Sequence, residues 1–306
     1  MVLTWEQRFA DINAMRQRFA AVIADLVEED PRTAAVFADI TWDKLPPGAR
    51  EHPRFINVGI REQLMIDIAG GLSMAGLRPI AHTFSSFLVE RPFEQIKIGL
   101  THQRAGAVLV GAGASYDLAV DGRTHQSPAD VALLSTLEDW NIHVPGHADE
   151  AEAQLRAAAR GDGWDYVRLS TEANERPLWH GETGFVVLRQ GSRGTVVAVG
   201  PLADAVLAAV EGLDVTVLYA PWVRPFDGAT LRATLTAPDV VLAEPYLAGT
   251  SAAEVTDALR DVPHRLLSLG VAREELRRYG TPAEHAAAHG LDAAGLRRSV
   301  GEFLAR

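Results

Sequence analysis

The chain has 306 residues, no cysteine, and a formal net charge of −11 from 29 Lys and Arg against 40 Asp and Glu. A single hydrophobic core stops growing at roughly 250 to 300 residues, so this length predicts two domains, and 47% hydrophobic against 23% charged residues excludes a disordered or fibrous chain. The lack of cysteine removes disulfide scaffolds, thiol nucleophiles and cysteine-based zinc sites, and the acidic balance argues against nucleic acid, whose phosphates need clustered Lys and Arg.

Any chemistry must therefore come from carboxylates, histidines, hydroxyls or a bound cofactor. The N-terminus lacks a basic region followed by an apolar run, and no 18-residue apolar stretch occurs, so the expectation is a cytoplasmic protein with no membrane partner. Ile12, Met15, Phe19, Val22 and Leu26 recur at steps of three and four, which predicts an amphipathic helix over 9–27. Strand-like runs at 34–38, 79–83, 107–111, 142–144 and 166–169 then alternate with helical segments at 61–75, 84–103, 128–137 and 150–159. Such alternation predicts an α/β fold with a mostly parallel sheet covered by helices on both faces.

After Ser170 the pattern lapses into a polar stretch carrying Pro177 and Gly181. This seam divides the chain into a domain over 1–175, a linker over 176–190 and a smaller α/β domain over 191–306. In the latter, alternation resumes through 195–199, 203–210, 215–219, 231–235, 240–243, 252–259 and 265–269. The last thirty-odd residues, rich in Ala and Arg, predict one or two surface helices.

Three clusters carry candidate chemistry. Gly59-Ile60-Arg61-Glu62 leads into an apolar, glycine-rich helix. An acid in a first turn complements the helix dipole and needs no function. So apolar a helix must also be buried, however, and a desolvated Glu62 with a raised pKa is suited to sharing a proton with a ligand. At the end of the predicted strand 79–83 lies His82-Thr83-Phe84-Ser85-Ser86-Phe87. Ligands of open parallel sheets bind outside the carboxyl ends of strands, where two rings can face a heterocycle; plain core packing is the favoured account of two phenylalanines on their own. The third cluster, Asp121-Gly122-Arg123-Thr124-His125-Gln126, sits in a long βα connection. Ordering it is costly unless it contacts something, and His125 can act as acid, base or hydrogen-bond donor near neutral pH. A solvated loop with an Asp-Gly turn is the simpler account.

The order and spacing of these clusters closely resemble the pyrimidine-binding domain of the transketolase family. The segments 196–200 and 224–227 resemble that family's C-terminal domain, and the likeness runs from about residue 10 to about 270. It implies a thiamine-diphosphate pyrimidine-binding domain followed by a transketolase C-terminal-like domain, and transfer of a two-carbon ketol unit from a ketose-type donor to an aldehyde or related acceptor. By this resemblance Glu62 would hydrogen-bond the pyrimidine ring nitrogen and drive the cofactor to its imino tautomer. Phe84 and Phe87 would wall the pyrimidine pocket, Phe87 in the stacking position, with Ile60 beside them. Asp121 and His125 would face the substrate, His125 as a catalytic hydrogen-bonding group, and Arg16 matches a phosphate-side arginine.

The family's diphosphate-binding domain has no counterpart here. Gly161-Asp162-Gly163 opens like its metal motif, which wants an Asn roughly two dozen residues later, whereas Asn174 follows Gly163 by eleven; these glycines read instead as a helix C-terminal turn. The resemblance thus implies the C-terminal half of a split transketolase, holding no metal itself and inactive alone. Its partner would be a separate N-terminal diphosphate-binding subunit carrying the Mg2+ ligands, assembled as a heterotetramer of two plus two chains around a sugar-like small-molecule substrate. Two departures bear on that substrate. Gly113-Ala114-Ser115 stands where the family has His-Asp-Ser, and Ser170-Thr171 where it has Ser-Arg. Thr cannot replace a bidentate Arg on phosphate, so a modified or unphosphorylated acceptor is expected. The rival readings are a deoxyxylulose-phosphate-synthase-like or oxoacid-dehydrogenase-like acyl-transferring component, and a non-catalytic scaffolding subunit.

Overall fold

The structure, a computed structural model, describes residues 13–277 and 279–306. Positions 9–12 of the predicted first helix lie outside the described residues. Helix α1 (Asn13–Glu29) buries Met15, Phe19, Val22, Ile23, Leu26 and Val27, the stripe its spacing predicts. There follow β1 (Thr33–Phe37), β2 (Phe55–Asn57), α2 (Glu62–Met74), β3 (Arg78–Phe84), β4 (Ala107–Ala112), α3 (Asp130–Leu134), β5 (Trp140–His143), α4 (Ala148–Arg160) and β6 (Trp164–Arg168).

These six strands pair in parallel, in the order β5-β6-β4-β3-β1-β2. Every residue of β1, β3 and β4 is buried, as parallel strands covered on both faces must be. Alternate residues point to opposite faces. Val36, Ala81 and Leu109 pack with Met65 and Ile66 of α2, whereas Phe37, Ile80, Val108 and Val110 pack with α1 and with Leu155 of α4.

One predicted element is corrected. The segment 84–103 is no single helix; it breaks into a π-helical turn at Ser86–Glu90, a short turn at Phe93–Gln95 and a second π-helical stretch at Ile96–His102. Pro92, at the break, has no amide hydrogen to donate and its ring crowds the preceding turn. Widened π turns are frequent at functional sites, and Phe87 lies on the first of them.

The second half contains β7 (Val186–Arg189), β8 (Thr195–Val199), α5 (Ala203–Ala209), β9 (Thr216–Ala220), β10 (Trp222–Arg224), α6 (Gly228–Thr234), β11 (Asp239–Leu247), α7 (Ala252–Ala258), β12 (Arg265–Val271), α8 (Pro282–Ala288) and α9 (Ala293–Leu304). Its five-stranded sheet has the order β12-β11-β8-β9-β7, with only β7 antiparallel. Strand β10 leaves this half and pairs antiparallel with β5, becoming the seventh strand of the first sheet.

The seam itself is clamped. Glu150, 1% exposed, accepts backbone N–H groups of Gly146 at 2.8 Å, Leu178 at 2.6 Å and Trp179 at 3.0 Å, and the Tyr219 hydroxyl. One buried carboxylate thus ties α4 to the polar stretch and to β9. No helix among the described residues is long and apolar enough to cross a membrane.

Candidate functional site

β3 and β4 run side by side with Phe84 opposite Ala112, so both open at their carboxyl ends on the same edge. The connection after β4 folds back over that edge, closed by the Ser127 N–H donating to the Ser115 carbonyl at 2.9 Å. It drops His125 onto the aromatic pair. The His125 ring lies 4.9 Å from Phe87 and 5.8 Å from Phe84, both edge-on, and Phe84 and Phe87 are 6.4 Å apart.

Glu62 joins this cluster from the first turn of α2. It is 2% exposed, and its Oε2 accepts from Arg91 Nη1 at 2.7 Å. The Arg91 guanidinium carbon in turn lies 4.0 Å from the centre of the Phe87 ring. The apolar surroundings expected for Glu62 therefore include a cation. Arg91 was not singled out in the sequence; its signal is the step of four residues from Phe87, which brings two side chains to one helical face.

His125 occupies a helical turn, Arg123–His125, directly after Asp121 and Gly122. Its Nδ1 lies 3.0 Å from the Thr124 hydroxyl. Burial pushes the imidazole below its ordinary value, the Asp121 carboxylate works the other way, and Arg91 lowers it further. A neutral ring results at neutral pH, able to accept as well as donate.

Arg16 stands behind the pocket, 4% exposed, its guanidinium carbon 5.6 Å from the Phe84 ring. Its Nε donates to Thr41 Oγ1 at 2.7 Å, Thr41 lies 2.7 Å from His82 Nε2, and His82 Nδ1 lies 2.8 Å from the Val110 carbonyl. Burial lowers Arg16 to about 10 against the pull of Asp43; burial and then the Arg16 charge take His82 down to about 3. His82 is thus a neutral structural link that orients a buried cation.

Ile60, 72% exposed, precedes α2, on which Leu64 at 44% and Met74 at 70% are also exposed, with Asp67 and Gly71 exposed between them. Ile98, 46% exposed, adjoins α2, because Gly70 of α2 closely approaches the carbonyl of Gly99. Glu62, Phe84, Phe87, His125, Asp121 and Arg16 therefore gather at one strand edge, and Ile60 lies on the neighbouring surface.

The two sequence departures also acquire a geometry. Gly113 has φ +72°, which strains any other residue, and a Cβ there would come within 2.7 Å of Leu118 Cδ1 and 3.3 Å of Phe84 Cδ1, so the side chain the family carries as histidine would require Leu118 to move. Thr171 spends its backbone N–H on Asp117 at 2.8 Å. Nearby Arg168 does not replace the missing arginine: fully buried, it donates to Asp130 at 2.8 Å and Ser115 at 2.7 Å, and Asp130 also takes the Tyr166 hydroxyl. That buried network was not visible in the sequence, since Asp130 and Arg168 are 38 residues apart.

A parallel-stranded domain with an acid on the first turn of its second helix and an aromatic and imidazole cluster at the strand ends defines the class. Residues 13–175 match the transketolase pyrimidine-binding domain and residues 184–296 the transketolase C-terminal domain, and the chain belongs to the transketolase family. It is 49% identical over 306 residues to an uncharacterized 33.6 kDa protein in the fasciation locus of Rhodococcoides fascians, with 98% of each chain covered. It is also 32% identical to the 1-deoxy-D-xylulose-5-phosphate synthase of Alkalilimnicola ehrlichii over 95% of this chain and 48% of that protein, and so spans about half the synthase's length. Among solved structures it is similar to a split-gene transketolase, an inactive β4 tetramer, with a TM-score of 0.82 and 27% identity over 95% of this chain and 98% of that one.

Proposed function

We propose that this chain is the pyrimidine-binding subunit of a two-component, thiamine-diphosphate-dependent enzyme that moves a two-carbon ketol unit from a ketose-type donor to an aldehyde or related acceptor. The observation that carries this reading is the meeting of Glu62, Phe87 and His125 at one strand edge, joined through Arg91. A pyrimidine ring needs a carboxylate for its ring nitrogen and an aromatic face beside it, and Glu62 and Phe87 offer both. Arg91 lies over that face and pairs with Glu62, so a stacking ring would have to displace its 37% exposed side chain from both contacts. With that displacement the residues fit the cofactor.

Glu62 would hold the ring nitrogen and its proton, Phe87 would stack and Phe84 would wall the pocket, while Ile60 borders the opening toward a partner. When bound, thiamine diphosphate supplies the electron sink for breaking and making the carbon–carbon bond. The substrate side belongs to this chain's own groups. His125, neutral and half-buried, would hydrogen-bond the donor's hydroxyl or carbonyl oxygen and move a proton there. Asp121 fixes the imidazole's electrostatic setting, and Arg16 supplies a buried positive charge behind Phe84. Gly113 and Thr171, which carry neither an imidazole nor a guanidinium, favour an acceptor end without phosphate.

The diphosphate and its Mg2+ would be held by a separate N-terminal-type subunit, in a two-plus-two assembly. The exposed side chains of Ile60, Leu64, Met74 and Ile98 support a covered face, and the split-gene neighbour, inactive as a tetramer of one chain type, supports dependence on a partner. The test mixes this chain with a diphosphate-binding subunit, thiamine diphosphate, Mg2+ and a ketose donor. Ketol transfer is expected, and Glu62→Gln should lower it by about 10²–10⁴-fold, the scale of a positioned proton-transfer group; full activity in that variant sinks the assignment. The likeness to the synthase favours one second reading, an acyl-type transfer from an oxoacid, which release of carbon dioxide from pyruvate in the same mixture would establish instead.

A further inference from the structure

Where β4 and β6 end, the first domain leaves a cavity of about 260 Å³ against the second domain and the C-terminal helices. Its walls are mostly apolar, supplied by Pro201, Leu202, Ala205, Val271, Ala286 and Leu291. Asp117 is set into one wall, its carboxylate accepting from Ser170 Oγ at 3.2 Å and from the Thr171 N–H at 2.8 Å. Among the described residues no cation forms an ion pair with it. Arg168, which lines the same cavity, is committed to Asp130 and Ser115.

Burial raises the Asp117 carboxyl to about 6; the Thr171 hydrogen bonds and the more distant Arg168 charge lower it only in part, and Glu172 adds to the rise. Asp117 is half-buried, and a partly desolvated carboxylate with no ion-pair partner among the described residues is a cost to the fold. A ligand that brings the missing cation relieves it. Two further carboxylates line the space, Glu172 at the exposed rim and Asp292 opposite, alongside Arg168, whose charge is paired with Asp130. The Tyr116 ring, stacked parallel to His285 at 4.1 Å and to His289 at 5.4 Å, closes one side of the space. The volume lies just under the range of about 300–1,000 Å³ usual for drug-sized ligands, so the occupant is compact.

We propose that this interdomain cavity binds a small organic ammonium ion, a compact apolar body carrying one protonated amine, with the amine seated on Asp117. The site shares no residue with the cluster around Glu62 and does not depend on the function proposed above. It does share a loop with it, since the connection after β4 carries both Asp117 and His125.

The experiment follows thermal unfolding of the full chain against increasing cyclohexylamine, cyclohexanol and cyclohexanecarboxylate. A ligand that binds only the folded state raises the midpoint with its concentration. At pH 8 a saturable rise is expected for the amine and not for the alcohol or the acid. Asp117→Asn should abolish it, and Ala286→Phe, which fills the cavity while keeping the carboxylate, should abolish it too. The second variant decides the matter if the first does not fold. At pH 5 the wild-type response should be lost as Asp117 takes up its proton. Arg168 and Glu172 from the end of β6, and His285, His289 and Asp292 from the C-terminal helices, also face this space, so the pH comparison is made against Asp117→Asn, which keeps all of them. An equal response to cyclohexanol, no saturable response to the amine, or a response that survives in the folded variants overturns the proposal.

Discussion

At the residue scale, the site depends on groups whose charge state is set by what surrounds them. His125 is the clearest case. Partial burial and the Arg91 charge depress its pKa, and the Asp121 carboxylate restores only part of the fall. A depressed value means that the neutral ring persists as pH falls through about 6.5, the ordinary histidine value, and is lost only below it. In the reconstituted enzyme, kcat/KM for the ketose donor should therefore hold steady down to about pH 6.5 and decline further down. His125→Asn, which keeps a donor but cannot titrate, should remove that acid limb; a limb at or above pH 6.5 in the wild type would show that another group governs it. Glu62 was legible in the sequence because an acid opening an apolar helix stands out. Arg91 was not, because its role appears only once a π turn and the start of α2 are brought together.

At the element scale, α2 presents two faces with different tasks. Met65, Ile66 and Ala69 are buried against the sheet, whereas Leu64 and Met74, Ile60 just before the helix, and Ile98 are exposed. Apolar side chains grouped in this way mark an interaction surface. Leu64→Asp should leave the unfolding free energy of the isolated chain within about 0.5 kcal/mol of wild type, as exposed substitutions do, yet prevent co-elution with the diphosphate-binding subunit. Unimpaired co-elution would separate these side chains from the partner interface. The long regular elements, α1, α2 and α4, follow directly from their apolar spacing. The helix expected over 84–103 did not, because Pro92 breaks its hydrogen-bond ladder and the two π stretches take up the slack. The short strands β2, β7 and β10, three or four residues each, carry too few positions for a period to register.

At the scale of the whole molecule, the two halves are stitched rather than merely tethered. Strand β10 extends the first sheet, and Glu150 receives four donors from three separate segments. Glu150→Ala leaves the Leu178 and Trp179 N–H groups and the Tyr219 hydroxyl without this acceptor, whereas the Gly146 N–H keeps the Tyr219 oxygen at 2.9 Å, at about 1–3 kcal/mol for each donor not rescued by water. The stability of the chain should fall by more than about 3 kcal/mol in urea denaturation, with early exposure of Trp179 and Trp222, whose rings meet edge-on at the seam. A loss below about 1 kcal/mol would mean that the clamp is dispensable.

The amino-acid sequence by itself determined the alternating α/β plan, the division near residue 175 as an expectation, and the family, because periodicity and short-range motifs are local properties that survive without coordinates. Only the tertiary structure decided that Arg91 bridges Glu62 and Phe87, that Arg168 is spent on Asp130, and that Asp117, without an ion pair among the described residues, borders a cavity between the halves. The physical reason is the same in each case. Burial, charge pairing and enclosed volume are set by residues tens of positions apart, and they exist only after the sheet has laid its strand ends side by side.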